Sequence, residues 1–320
     1  MKRCLILGGS GFVGRALCEQ LVALHGGGGP RIVVPTRRRE HAKHLLVLPT
    51  VDVVEARIAD DAALNQLLMG CDAVVNLVAI LHGSADEFEQ VHVGLPRRLA
   101  AACVRAGVRR LVHVSALGVP EDPADAPSDY LRTKSAGEQV LRSAGLDLTV
   151  LRPSVMFGEH DRFLNLFASM QAVLPLVPLV GAEARFQPVW VEDVARALVR
   201  CLVDSGTVGD LYECAGPRVC TLAELVRLAG QCSGHVRPIV PMPMVVGRIQ
   251  SALLAWLPGE PMMSADNLKS MQVPNVASGQ WPRLEALGIT PTALETVAPT
   301  YLGQKSRQDH LNFWRAWARH

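Results

Sequence analysis

The chain is predicted to fold as an α/β protein, a doubly wound parallel sheet with helices on both faces, followed by a smaller irregular C-terminal domain. Three observations carry this expectation. Gly8-Gly9-Ser10-Gly11-Phe12-Val13-Gly14 stands between the apolar run Cys4 to Leu7 and a segment in which Val13, Leu17, Leu21 and Leu24 recur at helical spacing. Short β-branched runs then alternate with helical patterns through the first two thirds of the chain, the signature of βαβ units. After Arg152-Pro153 this rhythm breaks into proline-punctuated sequence.

In chain order, strands are expected near Arg3–Leu7, Arg31–Val34, Val51–Glu55, Ala73–Val78, Arg110–Ser115 and Asp147–Leu151. Each is too short for a helix and is rich in Val, Ile or Leu. Helices are expected between them at Phe12–Leu24, His41–Leu48, Ala62–Met69, Glu87–Ala106 and Asp129–Ala144. Right-handed crossovers then give a Rossmann order, with ligands at the carboxyl ends of the strands. Gly158 to Gln187 reads as an excursion, Pro188 to Val203 as a returning strand-helix unit, and Leu211–Cys214 as a last sheet strand. Thr221-Leu222-Ala223-Glu224 is a capping box that opens a further helix. The domains expected are therefore 1–157 with 188–215 returning to it, and 158–187 with 216–320.

Composition narrows the function. Among 320 residues, 49% are hydrophobic and 19% charged, which suits a soluble globular protein, and the net charge of +2 points to no nucleic acid. The eight cysteines show no CxxC pair, and Cys232 with His235 has no second half, so reduced thiols and no metal site are expected. Four apolar residues after Met1-Lys2-Arg3 are too few for a signal peptide. Ala172 to Ala182 is short and carries Pro175 and Pro178, so no transmembrane segment and a cytoplasmic setting are expected.

The glycine turn is a cradle for a dinucleotide pyrophosphate. Gly8 permits the tight turn, Gly11 lets a phosphate approach the backbone, and Gly14 lets the helix press on the strand. Unpaired N–H groups across Ser10 to Gly14 face the anion, and the helix dipole adds to the attraction. The second strand ends in Thr36-Arg37-Arg38-Arg39, with no acid to bind an adenosine ribose. A guanidinium pairs with a 2′-phosphate, so Arg37 and Arg38 favour NADP(H) over NAD(H). A solvated basic turn is the plainer alternative. Tyr130 and Lys134, four apart on a helix, share one face. A neighbouring cation favours phenolate and is expected to lower the tyrosine pKa from about 10 by ~1–3 units, into range for acid/base work.

With these motifs in this order, the chain resembles the extended short-chain dehydrogenases/reductases. The resemblance rests on Gly8–Gly14, Asn76-Leu77-Val78-Ala79, Ser115 closing the fifth strand, Tyr130/Lys134, Arg152–Gly158 and Pro188–Val194. It implies cofactor contacts from Val78, Ala79 and Pro153, with Ser115 near the nicotinamide and Lys134 on the ribose hydroxyls. Val112–Gly118, Ser128–Lys134, Phe157–Phe163 and Ala184–Val189 are similar to one branch in particular. That branch is the NADPH-binding accessory subunit of respiratory complex I and its bacterial relatives. It implies a nucleotide held for structural or regulatory use, and a respiratory or membrane-associated complex as partner. One departure matters: active relatives carry Ser or Thr just beyond strand five, where this chain has Ala116 and Leu117. An NADP(H)-dependent oxidoreductase or isomerase acting on a bulky apolar or quinone-like substrate stays open, with Tyr130 and Lys134 as the acid/base pair.

The remaining candidates weigh less. His113 is expected to be a packed, hydrogen-bonded imidazole, and His92 to touch the helix packing. Arg57 could reinforce phosphate binding. Val245 to Leu257 reads as a lid or a docking face. Leu311 to His320, mixing aromatics with arginines, reads as a helix lying on a membrane surface or partner, or folded on the second domain.

Overall fold

The computed structural model describes residues 1–243 and 264–303, so the segments Val245 to Leu257 and Leu311 to His320 lie outside the described residues. In chain order its elements begin with β1 (Arg3–Leu7), α1 (Phe12–Leu24), β2 (Arg31–Thr36), β3 (Val51–Glu55), α2 (Asp61–Leu68) and β4 (Ala73–Asn76). Then come α3 (Ala85–Glu89), α4 (Leu95–Ala106), β5 (Arg110–Val114), α5 (Asp129–Arg142), β6 (Asp147–Pro153), β7 (Met156–Phe157) and α6 (Phe163–Val173). β8 (Val177–Val180), β9 (Arg185–Phe186), β10 (Val189–Trp190), α7 (Val191–Val203) and β11 (Leu211–Cys214) follow. The last are β12 (Cys220–Thr221), α8 (Leu222–Ser233), β13 (Ile239–Met242) and α9 (Ala265–Ser270).

Seven strands form one parallel sheet in the order β11-β6-β5-β4-β1-β2-β3. The chain runs outward from β1 to β3, then returns to β4 on the other side of β1. The crevice at the carboxyl ends of β1 and β4 is therefore the topological switch point where such sheets take ligands. On one face, α2, α4 and α5 bury Leu64, Leu67, Leu68, Leu99, Cys103 and Leu141 against Leu5, Leu7, Val74 and Leu111. Burial of each such leucine stabilises the fold by roughly 1.5–3 kcal/mol. On the other face α1 packs against α7, and the amide of Gln20 donates to Glu192 at 2.8 Å.

Chain contacts divide the molecule into two units. The first comprises Met1–Pro153, Val191–Cys214 and Ala277–Thr290. The second is drawn from Ser154–Trp190, Ala215–Val276 and Pro291 onward. Residues 277–290, grouped by sequence with the tail, pack with the sheet because Glu213 on β11 binds them. Its amide donates to the Pro282 carbonyl (2.9 Å), and its carboxylate accepts from the Ser278 amide (2.8 Å).

The second unit centres on α6 and α8. The Asp161 carboxylate caps α6 by accepting from the Leu164 amide (2.6 Å), and also accepts from the Tyr301 hydroxyl (2.7 Å). The Thr221/Glu224 capping box opens α8 as the sequence predicts. Buried Gln171 ties the two helices, its amide donating to the Val226 carbonyl at 2.7 Å.

Two expected helices differ. His41–Leu48 is instead a 3₁₀ stretch, Arg39–Leu45, with a kink at Ala42. Its buried residues Ala42 and Leu45 are three apart, the spacing that eclipses in a 3₁₀ turn. The single helix over Glu87–Ala106 is interrupted by a π-helical turn, Gln90–Gly94. Pro96 at the start of α4 has no N–H and crowds the carbonyl four residues back, that of His92. β4 also stops at Asn76 and not at Val78, since the Asn76 side-chain oxygen accepts from the Val78 amide (3.2 Å).

Seven of the eight free cysteines are buried, and burial pushes the thiols of Cys18, Cys103 and Cys201 up to about 12. Among the described residues no group of His, Cys, Asp and Glu could hold a metal ion, and no helix is long and apolar enough to cross a membrane.

Candidate functional site

The loop after β1 is shaped by contacts that only glycine permits. Gly8 has φ +79°, in the left-handed region. A Cβ on Gly14 would lie 2.4 Å from the Gly9 Cα, so the start of α1 presses directly on the loop. A Cβ on Gly9 would lie 2.8 Å from Val34 Cγ1 on the neighbouring strand, a requirement that the motif reading missed. At Gly11, by contrast, a Cβ would meet only the Gly8 carbonyl at 3.2 Å, and the residue faces outward. Gly11 caps α1 without a side-chain bond, and no acidic residue occupies the first turn. The amides of that turn are thus left for an anion, undiminished by any carboxylate. Ser10, Phe12 and Val13 complete the loop, each partly exposed.

Arg37 and Arg38 follow β2 at the same edge of the sheet, both exposed. Thr36 shapes the turn, its hydroxyl donating to the Arg38 carbonyl at 3.0 Å. Among the described residues neither Arg37, Arg38 nor Arg57 makes an ion pair. Val78 is half-buried and Ala79 exposed beyond β4.

Beyond β5, Ser115 is 4% exposed and its hydroxyl has no protein partner. A buried hydroxyl without a partner costs about 1–3 kcal/mol, so it fits a group that a ligand would complete. The residues present therefore suit a dinucleotide, with glycines under its phosphates and an open hydroxyl further along the crevice. Ala116 and Leu117 follow, with no side-chain donor.

Ser128 caps α5, its hydroxyl accepting from the Leu131 amide at 3.2 Å. One turn on, Lys134 is buried and donates from Nζ to the Val114 carbonyl at 3.0 Å. Burial lowers its pKa to about 8, partly countered by the Glu138 carboxylate. Tyr130 is half-buried, with His92 and Phe88 edge-on to its ring at 5.4 and 6.2 Å. Here the expected phenol activation is corrected. Burial pushes Tyr130 up to about 12, and no lowering by Lys134 accompanies it. Desolvation of a phenolate outweighs the cation, whose own charge is weakened by burial and directed to a backbone carbonyl.

Two neutral imidazoles brace this region. His92 accepts from the Ile80 amide at Nε2 (3.2 Å), which leaves the proton on Nδ1, 3.0 Å from the Thr133 hydroxyl. Burial, then Lys134, lowers its pKa to about 3. The backbone of His92 also presses on α5, where a Cβ on Gly137 would lie 2.0 Å from its carbonyl oxygen. His113 accepts from the Asn76 amide (3.2 Å) and is held well below its ordinary pKa by complete burial. The Glu138 carboxylate accepts from both Nε and Nη2 of Arg152, at 2.9 and 2.8 Å, and so fixes α5 to β6 just before Pro153.

Residues 4–215 match the NAD dependent epimerase/dehydratase family. The chain belongs to this family. It is 31% identical over 297 residues to the mouse (Mus musculus) "NADH dehydrogenase [ubiquinone] 1 alpha subcomplex subunit 9, mitochondrial", spanning 91% of this chain and 77% of that one. It is 30% identical over 196 residues to a ceramide reductase of Caulobacter vibrioides, spanning 61% and 59% of the two chains. Its fold is similar to that of dTDP-glucose 4,6-dehydratase from Streptomyces venezuelae, with TM-score 0.73, 22% identity and 98% of each chain covered.

The glycines of the β1–α1 turn and the Tyr130/Lys134 pair are the candidates that the motif reading named. It quoted Gly9, Asn76 and Arg152 within motifs without giving them a role, and it did not single out Glu138. Gly9 lay inside the quoted motif, and the i, i+4 spacing of Lys134 and Glu138 was visible in the sequence. The pairing of Glu138 with Arg152 had no local signal.

Proposed function

We propose that the protein binds NADP(H) at the β1–α1 turn and uses it mainly as a structural or regulatory element of a larger assembly, in the manner of the complex I subunit it resembles. One observation supports this reading: the glycine turn after β1 leaves backbone amides open to an anion, while Ala116 and Leu117, the two residues after Ser115, carry no hydroxyl. Gly8, Ser10, Gly11, Phe12, Val13 and Gly14 would hold the pyrophosphate, and Arg37 with Arg38 the 2′-phosphate. Val78, Ala79, Ser115 and Pro153 would border the nicotinamide, with Lys134 on its ribose. The partner is a respiratory or membrane-associated complex, and the protein acts on the cytoplasmic side, peripheral to the bilayer.

A second reading, a reductase, is favoured by the Tyr130 phenol itself. Held protonated up to about 12, it can donate a proton to a substrate carbonyl, while buried Lys134 steadies the charge left behind. A bound nicotinamide would supply the hydride. A bulky apolar substrate suits this reading, and one relative is named a ceramide reductase.

Calorimetric titration with NADPH and NADH tests the cofactor. NADPH is expected to bind more tightly, and Arg37→Glu to abolish the preference; equal dissociation constants, or a preference for NADH, would overturn it. Tyr130→Phe separates the two readings. Under the first it leaves nucleotide affinity and cellular phenotype unchanged, whereas loss of phenotype at unchanged affinity establishes the reductase.

A further inference from the structure

Five large apolar side chains of the second unit lie exposed on two neighbouring stretches. Val173 is 81% exposed, Val236 58%, Leu176 44%, Val240 40% and Leu174 36%. Backbone pairing brings the stretches together. β8 and β13 run parallel with Val240 opposite Pro178, and the Val177 amide donates to the Pro238 carbonyl at 2.9 Å. Arg237 Nε donates to the Gln171 carbonyl at 3.0 Å, which seats Val236 beside the end of α6. Single exposed valines are ordinary, but a contiguous group marks a docking surface.

Two features state what it docks on. The first is charge. No Asp or Glu occurs between Asp161 and Glu183, or between Glu224 and Pro243, while Arg237 directly follows Val236 and is held at the end of α6. Stretches that carry a guanidinium and no carboxylate complement an anionic surface. The second is proline. Pro175, Pro178, Pro238, Pro241 and Pro243 are all exposed here. Each removes a backbone N–H that would otherwise lose its water on entering an apolar medium.

We propose that the face formed by the α6–β8 connection and β13 is a lipid-docking surface that seats on an anionic bilayer. The five apolar side chains enter the interfacial layer while the Arg237 guanidinium meets phosphate headgroups. This deepens the membrane-peripheral setting proposed above and is independent of nucleotide binding.

The test is co-sedimentation of the full chain with phosphatidylcholine vesicles, with and without phosphatidylglycerol. The wild type is expected to pellet with the anionic vesicles. Val173→Glu/Val236→Glu is expected to weaken partitioning by about tenfold or more, since it sets carboxylates into an apolar, anionic interface. Both positions are exposed, so the variant should keep its thermal midpoint and NADPH affinity. Val173→Ser/Val236→Ser, without added charge, should give a smaller loss in the same direction. The proposal is overturned if the wild type ignores anionic vesicles or if the Glu variant pellets equally well. It is also overturned if the face instead joins two copies, seen as a dimer in sedimentation velocity that the Glu variant splits. Loss of NADPH binding in the wild type would sink the cofactor reading and leave this one standing.

Discussion

Glu138→Ala should be among the most damaging single substitutions in the first unit. The Glu138 side chain is buried and accepts from Arg152 Nε (2.9 Å), Arg152 Nη2 (2.8 Å) and Arg142 Nη2 (2.9 Å). Arg152 is itself only 5% exposed, so removing the carboxylate strands a guanidinium that water cannot reach. Breaking one side of a buried pair costs about 3–5 kcal/mol. For a domain of this size each kcal/mol lowers Tm by roughly 2–4 °C, so a fall of roughly 6–20 °C is expected. Glu138→Gln keeps an acceptor and should fall between Ala and wild type. Arg142→Ala removes a partner that is 39% exposed, and should cost no more than about 1 kcal/mol. Differential scanning calorimetry gives the ranking. Glu138 also opposes the depression of Lys134, so the Ala variant should move that ammonium below about 8, a change readable by NMR of the labelled lysine. A fall of less than about 2 °C for Glu138→Ala, or the same fall for Arg142→Ala, would refute the claim that a buried two-sided pair fixes α5 to β6.

Acid should destabilise the protein well above the range in which carboxylates titrate. His92 and His113 stay neutral in the fold, whereas an unfolded histidine takes up a proton near pH 6.5. Their contribution is therefore complete above about pH 6.5 and declines as pH falls, down to about 3 for His92. Between pH 6.5 and 5 the two together should remove about 2–4 kcal/mol, measured as the urea midpoint, and a flat midpoint over that window would contradict the assignment. Gly14→Ala places a methyl 2.4 Å from the Gly9 Cα, which neither backbone can accept without moving. A loss of about 1–3 kcal/mol in stability is expected together with NADPH affinity at least tenfold weaker by titration. Unchanged affinity would mean that the loop does not hold the phosphates.

The chain's own pattern was enough for the sheet and the glycine turn, because these follow from local rules. A strand needs only a short apolar run, a doubly wound topology needs only alternation, and a phosphate loop needs glycines at fixed offsets. The spacing of Tyr130 and Lys134 was legible for the same reason, since residues four apart share one helix face. The charge state of Tyr130 was not. Spacing showed a cation one turn away, but only the fold determined that the amine turns to the Val114 carbonyl and that burial governs the phenol. The π turn at His92, the placement of Ala277–Thr290 with β11, and the exposed face of β8 and β13 were equally hidden. Each depends on which distant residue occupies the neighbouring space. Periodicity along the chain records what a segment can bury, and tertiary contact alone decides what it meets there or leaves uncovered.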